Sequence, residues 1–167
     1  RVNSKPGVGT EFVLCLPLRL ALGAGPDPAP VDDRVTAGSQ RLAGIRVLLA
    51  DDSAINRTVI RALLEAEGAG VTGVENGAKA VDAFMGARER PFDLVLMDVQ
   101  MPEMDGRQAT RQLRGTHPDL PVIGLTAHAS EDERQKSLAS GMDDQLVKPV
   151  MRENLVATIL RHSDVGG

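Results

Sequence analysis

The chain has very few aromatic side chains: three Phe, no Trp and no Tyr among 167 residues. Aliphatic residues must therefore form the core, and the hydrophobic fraction of 42% is ordinary for a soluble globular protein. Proteins that bind unpaired bases stack them on aromatic rings, of which this chain has almost none. The net charge of −4 also disfavours a nucleic-acid surface. The composition predicts a globular protein that does not bind nucleic acid.

Other absences concern the compartment and the membrane. The single cysteine, Cys15, excludes an internal disulfide and fits a reducing compartment. No apolar run approaches the ~20 residues that span a bilayer, so we expect a fragment that is not embedded in a membrane. The chain has no signal peptide and does not begin with Met, which suggests a piece of a longer protein. We expect a cytoplasmic location, and the sequence leaves open whether the parent protein is anchored in a membrane.

From Leu42 onward, short apolar runs alternate five times with stretches of helical periodicity. This alternation is typical of a parallel sheet with helices on both faces, so the predicted class is α/β with a doubly wound five-stranded sheet. The predicted strands are 45–50, 71–75, 92–98, 121–126 and 145–147, and the predicted helices are 53–67, a segment after 77, 106–114, 130–140 and 151–161.

Two of these helices carry apolar residues at helical spacing, most of which we expect to face the core. Ser53 is a natural N-cap for the first of them. The apolar residues are Ile55, Val59, Leu63 and Leu64 in the first helix and Leu155, Val156, Ile159 and Leu160 in the last.

The segment FDLVLMDVQMPEMDG, residues 92–106, contains the first candidate for chemistry. Its apolar run stops abruptly at Asp98, and the turn formers Pro102, Asp105 and Gly106 follow. Asp98 therefore stands at the mouth of a loop. Because open parallel sheets bind ligands outside the carboxyl ends of their strands, Asp98 is well placed to react.

Polar residues also end three other predicted strands. Asp51 and Asp52 follow the first strand, Thr126 ends the fourth and Lys148 follows the fifth. Each has an ordinary explanation by itself: acids before a helix favour its dipole, a Thr can end a strand, and a Lys before Pro is usually solvated. Their occurrence together at one predicted edge of the sheet favours a functional site.

Charge suggests the role of each group. Three neighbouring carboxylates repel one another unless a cation lies among them, and oxygen ligands suit Mg²⁺. A carboxylate beside such a metal can attack a phosphoryl group and form an acyl phosphate. Lys148 and the hydroxyl of Thr126 can then bind the new phosphoryl oxygens.

The combination resembles a receiver domain of two-component signalling over about residues 43–162. The motifs that carry the resemblance are Asp51-Asp52, Asp98 in MDVQMPEMDG, Leu125-Thr126-Ala127 and Lys148-Pro149. The resemblance implies a flavodoxin-like sheet of order 2-1-3-4-5 and a cis peptide bond before Pro149.

The same resemblance implies a role for each site residue. Asp98 would accept the phosphoryl group, Thr126 would be the switch hydroxyl and Lys148 would bind the phosphoryl group. Mg²⁺ would be bound directly by Asp52, with Asp51 assisting, together with Asp98 and the backbone carbonyl of Gln100.

One departure from the family pattern concerns switching, and two other positions bear on the phosphoryl lifetime. Gln145 stands where the family commonly has Tyr or Phe, which puts an aromatic switch in doubt. Gln100 and His128 should flank the path of the hydrolytic water, and neither is a carboxylate, so we expect a phosphoryl lifetime of minutes or longer. His128 could orient this water, but we favour its interpretation as an ordinary surface histidine.

The sequence divides the chain into three predicted segments. They are the tail of a kinase domain at 1–19, a flexible linker rich in Gly and Pro at 20–42, and the receiver domain at 43–163. Gly7-Val8-Gly9-Thr10-Glu11-Phe12 with Leu16-Pro17-Leu18 resembles the closing segment of a histidine-kinase ATP-binding domain. An ordinary turn before a strand over 10–18 is the alternative.

The parent then resembles a hybrid sensor histidine kinase, and this fragment should accept a phosphoryl group without kinase activity. The expected partner is the kinase's dimerisation and phosphotransfer domain or a separate histidine phosphotransfer protein. By resemblance, the first helix, with Ile55, Val59 and Leu63, is a candidate docking surface for that partner.

Three other functions compete with this one. A phosphatase that forms a phospho-aspartate needs a second acid two residues after the nucleophile, where this chain has Gln100. A flavin or nucleotide site needs a phosphate loop after the first strand, where Asp51 and Asp52 would repel phosphate. A receiver-like module that regulates the kinase without being phosphorylated remains an alternative, although the acid set is complete.

Overall fold

A computed structural model describes residues 2–5, 9–12, 40–87, 92–128 and 130–163. Backbone contacts divide the chain into two units, residues 1–35 and 36–167. In the first unit, β1 (Val2–Lys5) pairs antiparallel with β2 (Gly9–Phe12). The sequence predicted a strand over 10–18 but not the partner strand at 2–5, and residues 13–18 lie outside the described part.

The described residues of the second unit form five strands and five helices in strict alternation. The strands form one parallel sheet in the order β4-β3-β5-β6-β7, which is 2-1-3-4-5 counted from β3, so the predicted fold class is confirmed. The elements are β3 (Arg46–Ala50), α1 (Ala54–Glu65), β4 (Gly70–Val74), α2 (Gly77–Gly86), β5 (Leu94–Asp98), α3 (Gly106–Thr116), β6 (Val122–Thr126), α4 (Glu131–Ala139), β7 (Asp144–Val147) and α5 (Arg152–His162).

Parallel pairing brings the carboxyl ends of the strands to one edge of the sheet. Ala50 pairs with Met97, one residue before Asp98, and Asp98 itself pairs with Leu125. Thr126 pairs with Val147, one residue before Lys148. The polar residues that follow these strands therefore gather at a single edge, as the sequence predicted.

Side-chain caps start four of the five helices where the loops leave this edge. Ser53, Asn76, Asp105 and Ser130 each accept a hydrogen bond from the backbone N–H three residues later. Such caps satisfy backbone donors that the first turn of a helix leaves free. The prediction of Ser53 as an N-cap is confirmed.

Alternation along the strands builds a core on each face of the sheet. In β3, Val47 and Leu49 join the cluster that contains α1 and α5, whereas Leu48 and Ala50 join the cluster that contains α2 and α3. Strands β5 and β6 are buried along their whole length. Strands buried on both sides account for their continuous apolar runs.

Three apolar residues that the sequence assigned to the core are exposed. Ile55 and Val59 of α1 are 76% and 52% exposed, and Leu160 of α5 is 40% exposed. The prediction was wrong for them because apolar periodicity shows which residues share a helix face, but not how far the neighbouring sheet extends under it.

The parallel-sheet unit begins earlier than the predicted boundary at residue 43. Leu42 is fully buried in the core, and its backbone N–H donates to the Glu67 carbonyl. The buried carboxylate of Glu67 accepts from Arg41 at 2.6 and 2.9 Å and from Arg152 at 2.7 Å. Arg41 and Leu42, assigned to the linker from sequence, are thus part of the folded unit.

Among the described residues, no helix combines the length and apolar character that crossing a bilayer requires.

Candidate functional site

The acid pair lies between the end of β3 and the N-terminus of α1. Asp51 is fully buried, and Asp52 beside it is exposed. The Asp51 Oδ1 atom accepts from the Ser53 backbone N–H at 2.9 Å. The guanidinium of Arg57 on α1 donates to the backbone carbonyls of Asp51 and Asp52, at 2.6 and 3.0 Å. These two hydrogen bonds hold the loop that carries both acids.

Asp98 ends the central strand β5 and is buried. Its Oδ1 atom accepts from the Gln100 backbone N–H at 3.1 Å. Burial raises the pKa of Asp98 above its ordinary value, although the hydrogen bonds from Lys148 and from the Gln100 backbone act in the opposite direction. Without a further positive charge the site therefore holds this carboxylate at a free-energy cost.

Lys148 joins the two buried carboxylates. Its Nζ atom lies 2.6 Å from Asp51 Oδ2 and 2.5 Å from Asp98 Oδ2. Burial by itself would lower the pKa of this ammonium, but hydrogen bonds to the two carboxylates outweigh burial, so the pKa of Lys148 is raised. The peptide bond between Lys148 and Pro149 is cis, as the resemblance implied.

The three acids that the sequence predicted as metal ligands come together. Asp51, Asp52 and Asp98 each offer a carboxylate oxygen, and these atoms lie within 4.8 Å of one another. An all-oxygen set with one exposed member matches the preference of Mg²⁺, which retains several waters. The donor chemistry therefore fits a hard divalent cation, and this cluster could hold one.

Thr126 occupies the predicted place at the end of β6 and is buried. Its hydroxyl donates to the His128 carbonyl and accepts from the His128 N–H, both at 3.1 Å. The hydroxyl is thus engaged with the loop that leads to α4.

Gly106 allows α3 to start directly against Asp98. A Cβ atom at this position would lie 2.1 Å from the Asp98 carbonyl oxygen and 2.8 Å from a side-chain carbon of Met97. Only glycine permits this approach without displacing the backbone. The glycine in the MPEMDG stretch therefore keeps the loop after Asp98 close to the strand end.

The three residues linked to switching and lifetime lie around this edge. Gln100 and His128 are exposed. Gln145 is half-buried in β7, and its side-chain oxygen is buried without a hydrogen-bond partner in the described part of the chain. A glutamine thus occupies the predicted position with one polar atom unsatisfied.

Sequence reasoning missed two residues of α1 that hold the acid pair. Asn56 contacts the carboxylate of Asp51, and Arg57 contacts the backbone of Asp51 and Asp52. The sequence signal for both was their position five and six residues after Asp51. Side chains about one turn beyond an N-cap can reach back to the loop that precedes the helix.

Comparison with known proteins identifies the protein family that has this fold and this site of three aspartates and a lysine. The family model for the response regulator receiver domain matches residues 47–160. The chain belongs to this family, and it is a receiver domain of two-component signalling, as the sequence predicted.

Two of the relatives with curated names are bacterial sensor proteins. The sensor protein GacS of Pseudomonas syringae pv. syringae is 46% identical over 121 residues, which are 70% of this chain and 13% of GacS. The sensor protein EvgS of Escherichia coli K12 is 33% identical over 149 residues, 89% of this chain and 12% of EvgS. The chain thus spans about an eighth of the length of these relatives.

Solved structures share the fold. The receiver domain of the sensor histidine kinase PA1611 from Pseudomonas aeruginosa PAO1, solved with a magnesium ion in its active-site cleft, is 39% identical with a TM-score of 0.64. The match covers 71% of this chain and 97% of that one. The co-crystal structure of the Saccharomyces cerevisiae phosphotransfer protein Ypd1 with the Ssk1 receiver domain matches with 27% identity, a TM-score of 0.65 and coverage of 71% and 88%.

Proposed function

We propose that Asp98 is the phosphoacceptor of this receiver domain and that its phosphorylation depends on Mg²⁺. The observation that carries the proposal is the position of Lys148, whose ammonium bridges Asp98 and Asp51 between the ends of β7, β5 and β3. A cation held at the nucleophile's own oxygen is placed to bind an incoming phosphoryl group. Asp51 shares the burial and this cation, but its carboxylate is also held by the Ser53 N–H and the Asn56 amide, whereas Asp98 accepts from Lys148 and from the Gln100 N–H.

The proposed metal ligands are Asp52, Asp98 and the backbone carbonyl of Gln100, with Asp51 assisting. The clustering of the three carboxylates within 4.8 Å supports this assignment, as does the magnesium ion in the cleft of the PA1611 receiver. When bound, Mg²⁺ would supply positive charge that offsets carboxylate repulsion and the charge of the phosphoryl oxygens.

The reaction is the transfer of a phosphoryl group from a phosphohistidine. A carboxylate oxygen of Asp98 attacks phosphorus, the new P–O bond forms while the P–N bond breaks, and the departing imidazole takes up a proton from solvent. Lys148 then binds one phosphoryl oxygen. The Thr126 hydroxyl binds another after leaving the backbone of His128, with which it now forms two hydrogen bonds.

We further propose that this receiver belongs to a hybrid sensor histidine kinase in the cytoplasm, where ATP is available. The similarity to EvgS covers 89% of the chain, which is more than the receiver match at 47–160. The Gly9–Phe12 strand falls in the segment that resembles the end of a kinase ATP-binding domain. The donor would be that kinase's own phosphohistidine or a separate phosphotransfer protein, the class of partner in the Ypd1–Ssk1 co-crystal.

Intact-mass measurement after incubation with acetyl phosphate tests Asp98 directly. The wild type should gain one phosphoryl group only with Mg²⁺, and Asp98→Asn should gain none. Asp82→Asn, which changes an exposed aspartate on α2, is the matched control and should label like the wild type. Equal labelling of Asp98→Asn and the wild type would refute the acceptor assignment, and an unlabelled wild type would favour the unphosphorylated regulatory module.

A further inference from the structure

The side chain of Asn56 reaches back from α1 to the buried acid of the site. Asn56 is the third helical residue after the N-cap Ser53, and its Nδ2 atom lies 3.3 and 3.4 Å from the two carboxylate oxygens of Asp51. Side chains at this helical position commonly fold back over the N-terminus, where they bind the N–H of the N-cap residue.

Here the N–H of the N-cap residue already has another partner. The Ser53 N–H donates to Asp51 Oδ1 at 2.9 Å, and the Ser53 hydroxyl caps the Asn56 N–H at 3.3 Å. The helix start is therefore satisfied without the amide of Asn56. Its side chain extends past the cap and donates to the carboxylate of Asp51.

Three donors from three elements hold Asp51. The Ser53 N–H lies in the loop, the Asn56 amide on α1 and the Lys148 ammonium after β7, and Asp51 itself is fully buried. Two of these donors are neutral. Asn56 thus orients the carboxylate without cancelling the negative charge that a divalent cation needs, whereas a cationic residue at this position would compete with the metal.

We propose that Asn56 is a positioning residue for the divalent cation: it fixes the carboxylate of Asp51 and thereby sets the Mg²⁺ affinity of the site. The inference rests on the proposed function for the location of the cation. Residues that hold a metal ligand in place typically change metal affinity about 10- to 100-fold when replaced. Because the bonds of Asn56 are long, we expect the lower end of that range.

The test separates metal affinity from phosphoryl transfer. Mg²⁺ affinity is measured by isothermal titration calorimetry, and the initial rate of labelling by acetyl phosphate is measured against Mg²⁺ concentration. Asn56→Ala should raise both the Kd for Mg²⁺ and the concentration for half-maximal labelling about tenfold. The labelling rate at saturating Mg²⁺ should remain within about twofold of the wild-type rate, since Asn56 contacts neither Asp98 nor Lys148 in the described hydrogen bonds.

Two further variants define the cause. Asn56→Leu keeps the side-chain size without the N–H donor and should show the same shift as Asn56→Ala. Asn154→Ala removes an exposed asparagine of α5 and should leave the Kd unchanged. An unchanged Kd in both Asn56 variants would overturn the proposal. If the melting temperature of the metal-free protein fell while the Kd stayed the same, Asn56 would have a purely structural role.

The calorimetric measurement also separates this inference from the proposed function. A wild type that binds Mg²⁺ but is not labelled would refute the phosphoacceptor assignment, while a raised Kd in the Asn56 variants would still support the positioning role. A wild type that does not bind Mg²⁺ would overturn both.

Discussion

Lys148 acts in the described structure as the internal counter-ion of the site. Its ammonium bonds to two carboxylates that are themselves buried, and its own side chain is only 18% exposed. Removing one partner of a buried ion pair leaves an uncompensated charge, which is far more costly than losing a surface pair. The residue that should bind the phosphoryl group therefore also stabilises the unphosphorylated protein.

Replacing Lys148 should consequently destabilise the metal-free domain. We expect Lys148→Met, which keeps the apolar stem, to lower the free energy of unfolding by about 3 kcal/mol in urea titrations without metal. Added Mg²⁺ should restore part of this loss by returning positive charge to Asp51 and Asp98. The loss should also become smaller as the pH falls. Burial raises the pKa of Asp98, so in the folded protein this carboxyl is protonated at a higher pH than in the unfolded chain, and protonation removes the uncompensated charge.

Lys136→Met provides the matched control for that measurement. Lys136 pairs with Asp132 at 2.5 Å on the surface of α4, where its side chain is 53% exposed. Solvent screens an exposed pair of this kind, so this variant should be nearly as stable as the wild type. Equal effects of the two substitutions would contradict the counter-ion role of Lys148.

At the residue level, the sequence revealed the groups that end strands but not those that hold them. Asp51, Asp98, Thr126 and Lys148 were predictable because a parallel sheet brings the carboxyl ends of its strands together. Asn56 was not, because its role depends on the direction of a side chain at one helical position.

At the level of elements, α1 presents apolar residues on two sides. Ile60 and Leu64 are buried against the sheet, whereas Ile55 and Val59 are exposed near the N-terminus that follows the acid pair. Two exposed apolar residues on the turns that follow the acid pair agree with the expectation, drawn from the resemblance, that a phosphotransfer partner docks on α1.

Substitution of Ile55 should therefore affect a protein donor but not a small one. We expect Ile55→Ser to slow phosphoryl transfer from a phosphorylated histidine phosphotransfer protein about tenfold, which corresponds to ~1.4 kcal/mol for the removal of one apolar side chain from an interface. Labelling by acetyl phosphate should stay unchanged, because the side chain of Ile55 is largely exposed and a small donor does not need a docking surface on α1. Rapid-quench measurements with both donors provide the comparison.

Met85→Ser is the control for the docking surface. Met85 is an apolar residue of α2 that is 44% exposed, and we expect the same transfer rate as for the wild type. A similar slowing in both variants, or slower labelling of Ile55→Ser by acetyl phosphate, would argue against docking on α1.

At the level of the whole molecule, the unit with the parallel sheet includes the residues just before β3. The core contains Leu42, and the buried Glu67 binds Arg41 and Arg152 from opposite ends of the unit. Composition rich in Gly and Pro predicts a linker before this point, but it could not show where packing resumes. That boundary depends on contacts with Glu67, which lies 26 residues further along the chain from Arg41.

Shortening the chain should reveal this boundary. A domain that begins at Ala43 should have a free energy of unfolding about 3 kcal/mol lower than one that begins at Gln40, since the fully buried side chain of Leu42 is lost. Leu42→Ala in the longer chain should account for a large share of this difference. Equal stability of the two chains in urea titrations would place the boundary after Leu42, as predicted from sequence.

The parallel register also has a consequence for synthesis on the ribosome. All four pairs of neighbouring strands in this sheet are parallel, so no two of them form a hairpin that could assemble while the rest is still being made. Asp51 and Asp98 leave the exit tunnel well before Lys148, the cation that compensates them. Until the segment after β7 has emerged from the ribosome, the nascent chain must therefore keep Asp51 and Asp98 solvated without their compensating cation.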